Sequence, residues 1–350
     1  MIEAQYEEYD IKRSEYTKKV VDSRSTKKLV MAGPGTGKSY LFQEVATKLI
    51  NSGKTKILVL TFINELVKDL SVDMHSLAKV STLHSFAATE LNNNKLIYMD
   101  LLKVVAKDLK DEKSITKEFD KILHNLEYAE SDAIEYLAKR CKYYKSYDPS
   151  SIVFELVKYY TADETKIPIY DLILVDEYQD FNSLEAELIR LLATKSKVLI
   201  VGDDDQSLYS FKHARPDNIR NLKSSDEYES FELPYCSRST KVVIDAFHDC
   251  VNNARSEGFL GERVPKQYLY FPTAKKDVLS SLHPSMEIKR SVFHTKNAYF
   301  IDRAIAGIFE NEPEFDVLII CSLKSQINSI AKALRKKGYS NVSGDGNESE

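Results

Sequence analysis

The chain has 350 residues, 43% apolar and 29% charged, which excludes the low-hydrophobicity, high-charge profile of a disordered protein and leaves room for two or three compact units. A net charge of -4 and a pI near 6.1 exclude a chain that is basic overall, so any nucleic-acid contact must come from a local surface. Four scattered cysteines, Cys141, Cys236, Cys250 and Cys321, form no CxxC pair and argue against a zinc site or a disulfide framework. The acidic start MIEAQYEEYD is unlike a signal peptide and no apolar run approaches the roughly 20 residues that span a bilayer, so a reducing, cytoplasmic setting is expected.

In chain order, the unbroken apolar runs Lys28 to Met31 and Ile57 to Thr61 read as strands buried on both faces. From about Thr89 to Lys166 the text is polar and helix-like, rich in Lys, Glu, Leu and Tyr, and shows no strand run; a helical insertion over residues 89–166 is expected. Strands resume at Leu172 to Asp176 and Val198 to Gly202. Between them Leu184, Leu188, Leu191 and Leu192 carry helical spacing after the capping pair Asn182-Ser183. A further strand is expected at Val317 to Cys321, and the small, acidic end Ser343 to Glu350 reads as frayed. Alternating strands and helices predict the doubly wound α/β class, a parallel sheet with helices on both faces. The expected organisation is a first domain of residues 1–88 and 167–230, the insertion, and a second unit over 231–350.

The segment Ala32-Gly33-Pro34-Gly35-Thr36-Gly37-Lys38-Ser39 follows the first strand directly and leads into the helical text Tyr40 to Ile50. Glycines let backbone wrap closely around phosphates, and NH groups at a helix start bind the anion. Lys38 is placed to reach the β and γ phosphates of ATP and Ser39 to ligate Mg2+. Ala32 stands where the simplest pattern has glycine, and a small residue suffices there. The strand Leu172 to Val175 ends in Asp176-Glu177, which reads as the other half of the site: Asp176 for the metal, Glu177 as general base for the attacking water. Alone, such an acidic pair is more often a solvated strand end; with the phosphate loop it reads as part of a P-loop NTPase.

Longer strings narrow the class. Asp176-Glu177-Tyr178-Gln179-Asp180 resembles motif II of UvrD/Rep-type superfamily 1 DNA helicases, and Val201 through Phe211 resembles their motif III. Leu60-Thr61-Phe62-Ile63-Asn64 is similar to motif Ia, Ser81 to Phe86 to the threonine and histidine segment after it, and Leu233 to Ser239 to motif IV. The motifs occur in the family's order from about Leu29 to Ser239, and Val317 to Gly338 is similar to the next strand and helix of the second motor domain. The resemblance implies a RecA-like fold with a partial second RecA-like domain, and an ATP-dependent helicase or translocase that moves 3′ to 5′ on single-stranded DNA. It implies that Gln206 senses the γ-phosphate and that Arg238 stabilises transition-state charge, a contribution of about 10³ to 10⁵ in rate for arginine fingers. In isolation Gln206 reads as a turn amide and Arg238 as a surface ion-pair partner. The resemblance also implies DNA contacts: Phe62, Tyr209 and Phe211 stacking on bases, at about 1 to 3 kcal/mol each, and Thr61, Asn64, Thr82 and His84 at phosphate or ribose. The run Lys139 to Lys145 mixes basic and aromatic residues and reads either as a strand-binding surface or as a solvated helix face.

The chain also departs from the family. The glutamine usual upstream of the P-loop is absent from Ser14 to Lys18, and Ser237 replaces the tyrosine usual before the motif IV arginine, so base recognition is expected to differ, with Gln5 and Tyr235 as nearby substitutes. Motif III ends in Lys212-His213 where Arg-Gly is usual. Nothing after Gly338 matches motifs V and VI, so the expectation is a fragment or truncated reading frame that binds ATP but does not unwind DNA alone. The complete protein leaves room for a protein partner or a fused nuclease, neither of which the residues identify. A non-motor ATP-binding switch subunit is the competing reading; a metabolic P-loop kinase would leave motifs Ia, III and IV without a task.

Overall fold

The computed structural model describes residues 2–62, 64–91, 96–98, 101–108, 119, 121, 123–124, 132–207 and 213–282 in a first unit bounded at residue 286. In a second unit it describes 319, 321, 324–336 and 338–339.

The first unit is built on a six-stranded sheet of order β3-β2-β6-β7-β1-β8, parallel at every pairing. Its strands are β1 Lys27–Ala32, β2 Ile57–Thr61, β3 Lys79–Thr82, β6 Leu172–Val175, β7 Val198–Gly202 and β8 Glu229–Leu233. The four inner strands are those expected from continuous apolar runs, because both of their faces are covered. Successive strand residues point to opposite faces. Val30, Ala32, Val59, Leu174 and Val201 therefore pack with Leu41, Phe42 and Ala46 of helix α2 (Lys38–Asn51) and with Leu70 of α3 (Asn64–Asp73). Leu29, Met31, Leu58, Leu60, Val175 and Ile200 pack with α4 (Leu83–Glu90) and with two later helices. These are Pro149–Ala162 and Ser183–Leu192, numbered α7 and α8 below.

The region 89–166 is largely helical where described, with α5 (Leu101–Asp108), α6 (Asp132–Tyr144) and α7 (Pro149–Ala162). It departs from expectation in one feature: Leu96–Ile97 (β4) and Ser146–Tyr147 (β5) pair in parallel, strands too short for a periodic pattern. Ile152, Val153 and Leu156 of α7 are fully buried in the same core as the sheet. Helix α8 (Ser183–Leu192) starts with a capping box in which Asn182 Oδ1 accepts from Glu185 N at 3.0 Å and Glu185 Oε2 accepts from Asn182 N at 2.9 Å.

Among the elements with no sequence-based expectation are helix α1 (Ile2–Asp22), which lies against β8 and α2, and the two edge strands, β3 and β8, the latter carrying the first sheet on to Leu233. Helix α9 (Pro216–Ser224) links β7 to β8. Beyond them, β9 (Tyr235–Cys236) pairs with β10 (Leu269–Tyr270), and α10 (Lys241–Ser256) and α11 (Ala274–Leu282) complete the described part of the unit. In the second unit, Ile330 and Leu334 of α12 (Lys324–Lys336) are buried against Ile319, Cys321 and Tyr339. Most of the expected strand Val317 to Cys321, and the frayed end Ser343 to Glu350, lie outside the described residues. Among the described residues no helix is long and apolar enough to cross a membrane.

Asn182→Ala removes the half of the α8 capping box made by the Asn182 side chain, leaving Glu185 Oε2 on the backbone NH of residue 182, and is expected to destabilise the first unit by about 1 kcal/mol, read as a lower urea midpoint at unchanged slope.

Candidate nucleotide-binding site

The strand order explains why residues far apart in sequence meet. β7 lies between β1 and β6, so the carboxyl ends of three adjacent strands present Ala32, Asp203 and Asp176 along one edge of the sheet. With strands about 4.8 Å apart, the P-loop and the acidic pair are two strand spacings from each other, within reach of a lysine side chain.

After β1 the chain turns through Gly35 and Gly37, at φ 71° and 96°, a region that disfavours any residue with a Cβ. Gly37 precedes α2 and offers no side-chain cap, which leaves the first NH groups of the helix to an anion. Thr36 is buried, and its hydroxyl donates to Gly33 O at 2.8 Å, tying the loop to itself. Lys38 reaches across the strand ends, and its Nζ lies 2.6 Å from Glu177 Oε1. Burial works against the Lys38 ammonium, but the charges of Asp176 and Glu177 outweigh it and hold its pKa above the ordinary lysine value. Ser39 is half-buried in the first turn of α2. The loop, its uncapped helix and the Ser39 hydroxyl with the Asp176 carboxyl form a donor set that fits a Mg2+–triphosphate.

Asp176 is buried, and its Oδ1 accepts from Glu177 N at 3.0 Å. Glu177 adopts a left-handed conformation, φ 51°, at the head of the 3-10 turn Tyr178–Asp180. Such a backbone is strained for a residue with a side chain, and the bonds on both sides of it hold it there. One of those bonds comes from Gln179, to which sequence reasoning gave no role. Its Nε2 donates to Glu177 Oε2 at 2.9 Å, and its Oε1 accepts from Asp203 N at 2.9 Å, so it joins the β6 and β7 ends. A methyl at Gly202 would meet Gln179 Oε1 at 2.6 Å, so glycine there makes room for this bridge. Gln206, in the 3-10 turn Asp204–Gln206, donates from Nε2 to Asp203 Oδ2 at 2.9 Å.

The loop after β9 closes on the phosphate loop. Ser237 N and Oγ both donate to Gly35 O, at 2.9 and 3.0 Å, and a Cβ added at Gly35 would collide with Cβ of Arg238. Arg238 is thereby brought to the P-loop with its side chain exposed. Tyr268 Oη donates to Pro34 O at 2.9 Å. Ser237 therefore staples the P-loop, while Tyr235 packs edge-on against Tyr9, Tyr16 and Phe271 with ring centroids 5.9 to 6.4 Å away. Gln5 lies in α1, and its side chain is outside the described residues.

The expected DNA residues are distributed differently. Phe62 is half-buried, edge-on to Phe181 at 5.8 Å. Thr61 is fully buried with no hydrogen-bond partner for Oγ1 among the described residues, and the Thr82 hydroxyl caps α4 by accepting from Ser85 N at 3.2 Å. His84 Nε2 lies 3.5 Å from Glu185 Oε1. Asn64 opens α3, and its side chain, like Tyr209, Phe211 and Lys212, lies outside the described residues. In the run Lys139 to Lys145, Lys139 pairs with Glu135 at 2.6 Å, Arg140 with Asp108 at 3.4 Å, and Cys141 is buried.

The sequence family described as UvrD/REP helicase N-terminal domain matches residues 14–96 and 88–227, which include the P-loop, Asp176-Glu177 and Gln206. The chain belongs to that family. Its relatives include the ATP-dependent DNA helicase srs2 of Schizosaccharomyces pombe, 31% identical over 175 residues, covering 47% of this chain and 18% of the relative. A probable DNA helicase II homolog of Mycoplasma capricolum is 26% identical over 348 residues, covering 81% of this chain and 48% of that protein. DNA helicase II of Escherichia coli is 42% identical over 94 residues, covering 26% of this chain and 13% of that protein. The chain thus spans less than half the length of each of these UvrD/Rep relatives.

Burial pushes the Asp176 carboxyl up to about 6 against the opposing charge of Lys38. A carboxyl with a folded pKa above its unfolded value of about 4 binds more protons folded than unfolded between the two, so its contribution to stability falls as pH rises through that window. Asp176→Asn, with no proton to lose, is therefore expected to gain stability relative to the unchanged chain from about pH 4 to about pH 7. Urea unfolding across that range checks it, and a constant difference contradicts it.

Proposed function

We propose that this chain is the ATP-binding motor half of an ATP-dependent DNA helicase or translocase that works on single-stranded DNA in the 3′ to 5′ direction. The observation that carries the nucleotide part is the 2.6 Å pairing of Lys38 with Glu177 beside the buried Asp176, across the ends of β1, β7 and β6. An ammonium held between two carboxylates at the mouth of a phosphate loop is poised to exchange one of them for phosphate oxygens. A Mg2+ held by Ser39 and Asp176 would supply charge neutralisation at the phosphates. Once Lys38 turns to phosphate, Glu177 is released to accept a proton from the attacking water, still oriented by Gln179. Gln206 is placed beside Asp203 to read the γ-phosphate, and Arg238 faces the P-loop from the following segment to meet developing charge.

Supporting the DNA part are the family and the names of its relatives. In this reading residues 1–88 and 167–230 form the first motor domain, 89–166 an insertion and 231–350 part of the second, and the strand lies across the ends of β2 and β3, near Phe62, His84 and Asn64, with Tyr209 and Phe211 as further stacking residues. Thr61 and Thr82 act from beneath this surface, shaping the strand end and the start of α4. Translocation follows from two motor domains closing on ATP and reopening after hydrolysis. With Ser237 on the P-loop in place of an aromatic ring, recognition of the base is relaxed toward other purine nucleotides.

Lys38→Ala is expected to abolish the calorimetric signal of MgATP binding, and unchanged binding refutes the site. Glu177→Gln is expected to bind MgATP within a few-fold of the unchanged chain but to hydrolyse it about 10² to 10⁴ times more slowly. ATP hydrolysis indifferent to poly-dT refutes the DNA part.

A further inference from the structure

Lys266 lies outside every motif noted above, on the segment between α10 and α11, and only 6% of its side chain is exposed. Its Nζ donates to Asp203 Oδ1 and Asp204 Oδ1 and lies 3.1 Å from Asp205 Oδ2, so three consecutive motif III carboxylates converge on one ammonium. The same segment adds two further ties. Arg263 clasps Asp205 through Nε and Nη2, both at 2.8 Å, and Val264 N donates to Asp204 Oδ2 at 2.9 Å. Two residues beyond Lys266, Tyr268 holds Pro34 O of the phosphate loop.

A buried ammonium surrenders its hydration and remains charged only while carboxylates surround it, and those carboxylates depend equally on it. Here the mutual dependence reaches the nucleotide site. The Asp203 carboxylate is divided, one oxygen taken by Lys266 and the other by Gln206 Nε2. Its backbone NH is bound by Gln179, which holds Glu177, which holds Lys38. A continuous run of polar contacts therefore joins Lys38 to Lys266, and Tyr268 returns it to the P-loop.

We propose that Lys266 is a positioning residue of the nucleotide site: by holding one oxygen of Asp203 it sets the orientation of Gln206 and links occupancy of the P-loop to the segment Arg263 to Tyr268. The proposal rests on the nucleotide-site reading above. When Lys38 leaves Glu177 for phosphate, the shift passes through Gln179 and Asp203 to Lys266, and the hydrogen bond of Val264 N to Asp204 reports it.

The test is amide hydrogen exchange of the peptide carrying Val264 in the full chain, with and without the magnesium complex of the non-hydrolysable analogue AMP-PNP, beside calorimetry of the same ligand. The unchanged chain is expected to show a change of at least about threefold in that exchange rate on binding. Lys266→Met is expected to bind the analogue within about threefold yet show no such change. Should Lys266→Met fail to fold, Lys266→Met with Asp205→Asn restores the charge balance of the cluster and is expected to behave in the same way. A ligand-dependent change that persists in either folded variant, or one missing from the unchanged chain although it binds, overturns the proposal. Failure of both variants to fold makes Lys266 a purely structural residue and overturns it too. An unchanged chain that binds no analogue defeats the nucleotide-site reading itself.

Discussion

One ammonium, that of Lys38, sits in a half-dry position against the carboxylates of Asp176 and Glu177, with Asp203 adding to the field. Burial pulls its pKa down; the carboxylates more than offset that, and the strand order keeps the carboxylates there. Because β7 intervenes between β1 and β6, the P-loop, the motif II acids and the motif III turn meet at one edge although 138 residues separate Lys38 from Asp176 by their numbers. This is the crevice at strand carboxyl ends that open α/β sheets offer to ligands.

The same economy of short contacts extends outward. Glu185, buried in the first turn of α8, caps the helix through Asn182 N and also faces His84 on α4. The helix after the motif II acids is thereby joined to the threonine and histidine segment that follows β3, on the side where the reading above lays the DNA strand. Ser237, Tyr268 and Gly35 likewise hold the segment after β9 against the P-loop.

The inner strands were legible because burial on both faces demands unbroken apolar text, as in Leu172 to Val175, and the phosphate loop because its glycines and lysine have few other uses. The edge strands were not. β8, Glu229–Leu233, is only half-covered and reads as polar text, and Lys79–Thr82 opens on an exposed lysine. Helix α1 is dominated by charged residues and shows little apolar periodicity. Ser237 looked like a loss, the absence of an aromatic ring, and proved to be two hydrogen bonds to Gly35 O. Lys266 carried no signal at all, since a long-range pairing with Asp203 to Asp205 leaves no trace in spacing.

The most direct test of the account is a crystal structure of the chain with a magnesium-bound, non-hydrolysable ATP analogue. The account predicts that the Lys38–Glu177 contact opens, with Lys38 Nζ at about 3 Å from β and γ phosphate oxygens and the metal lying between Ser39 and Asp176. An analogue bound elsewhere on the chain, or bound at the loop with the Lys38–Glu177 pair intact, would contradict it.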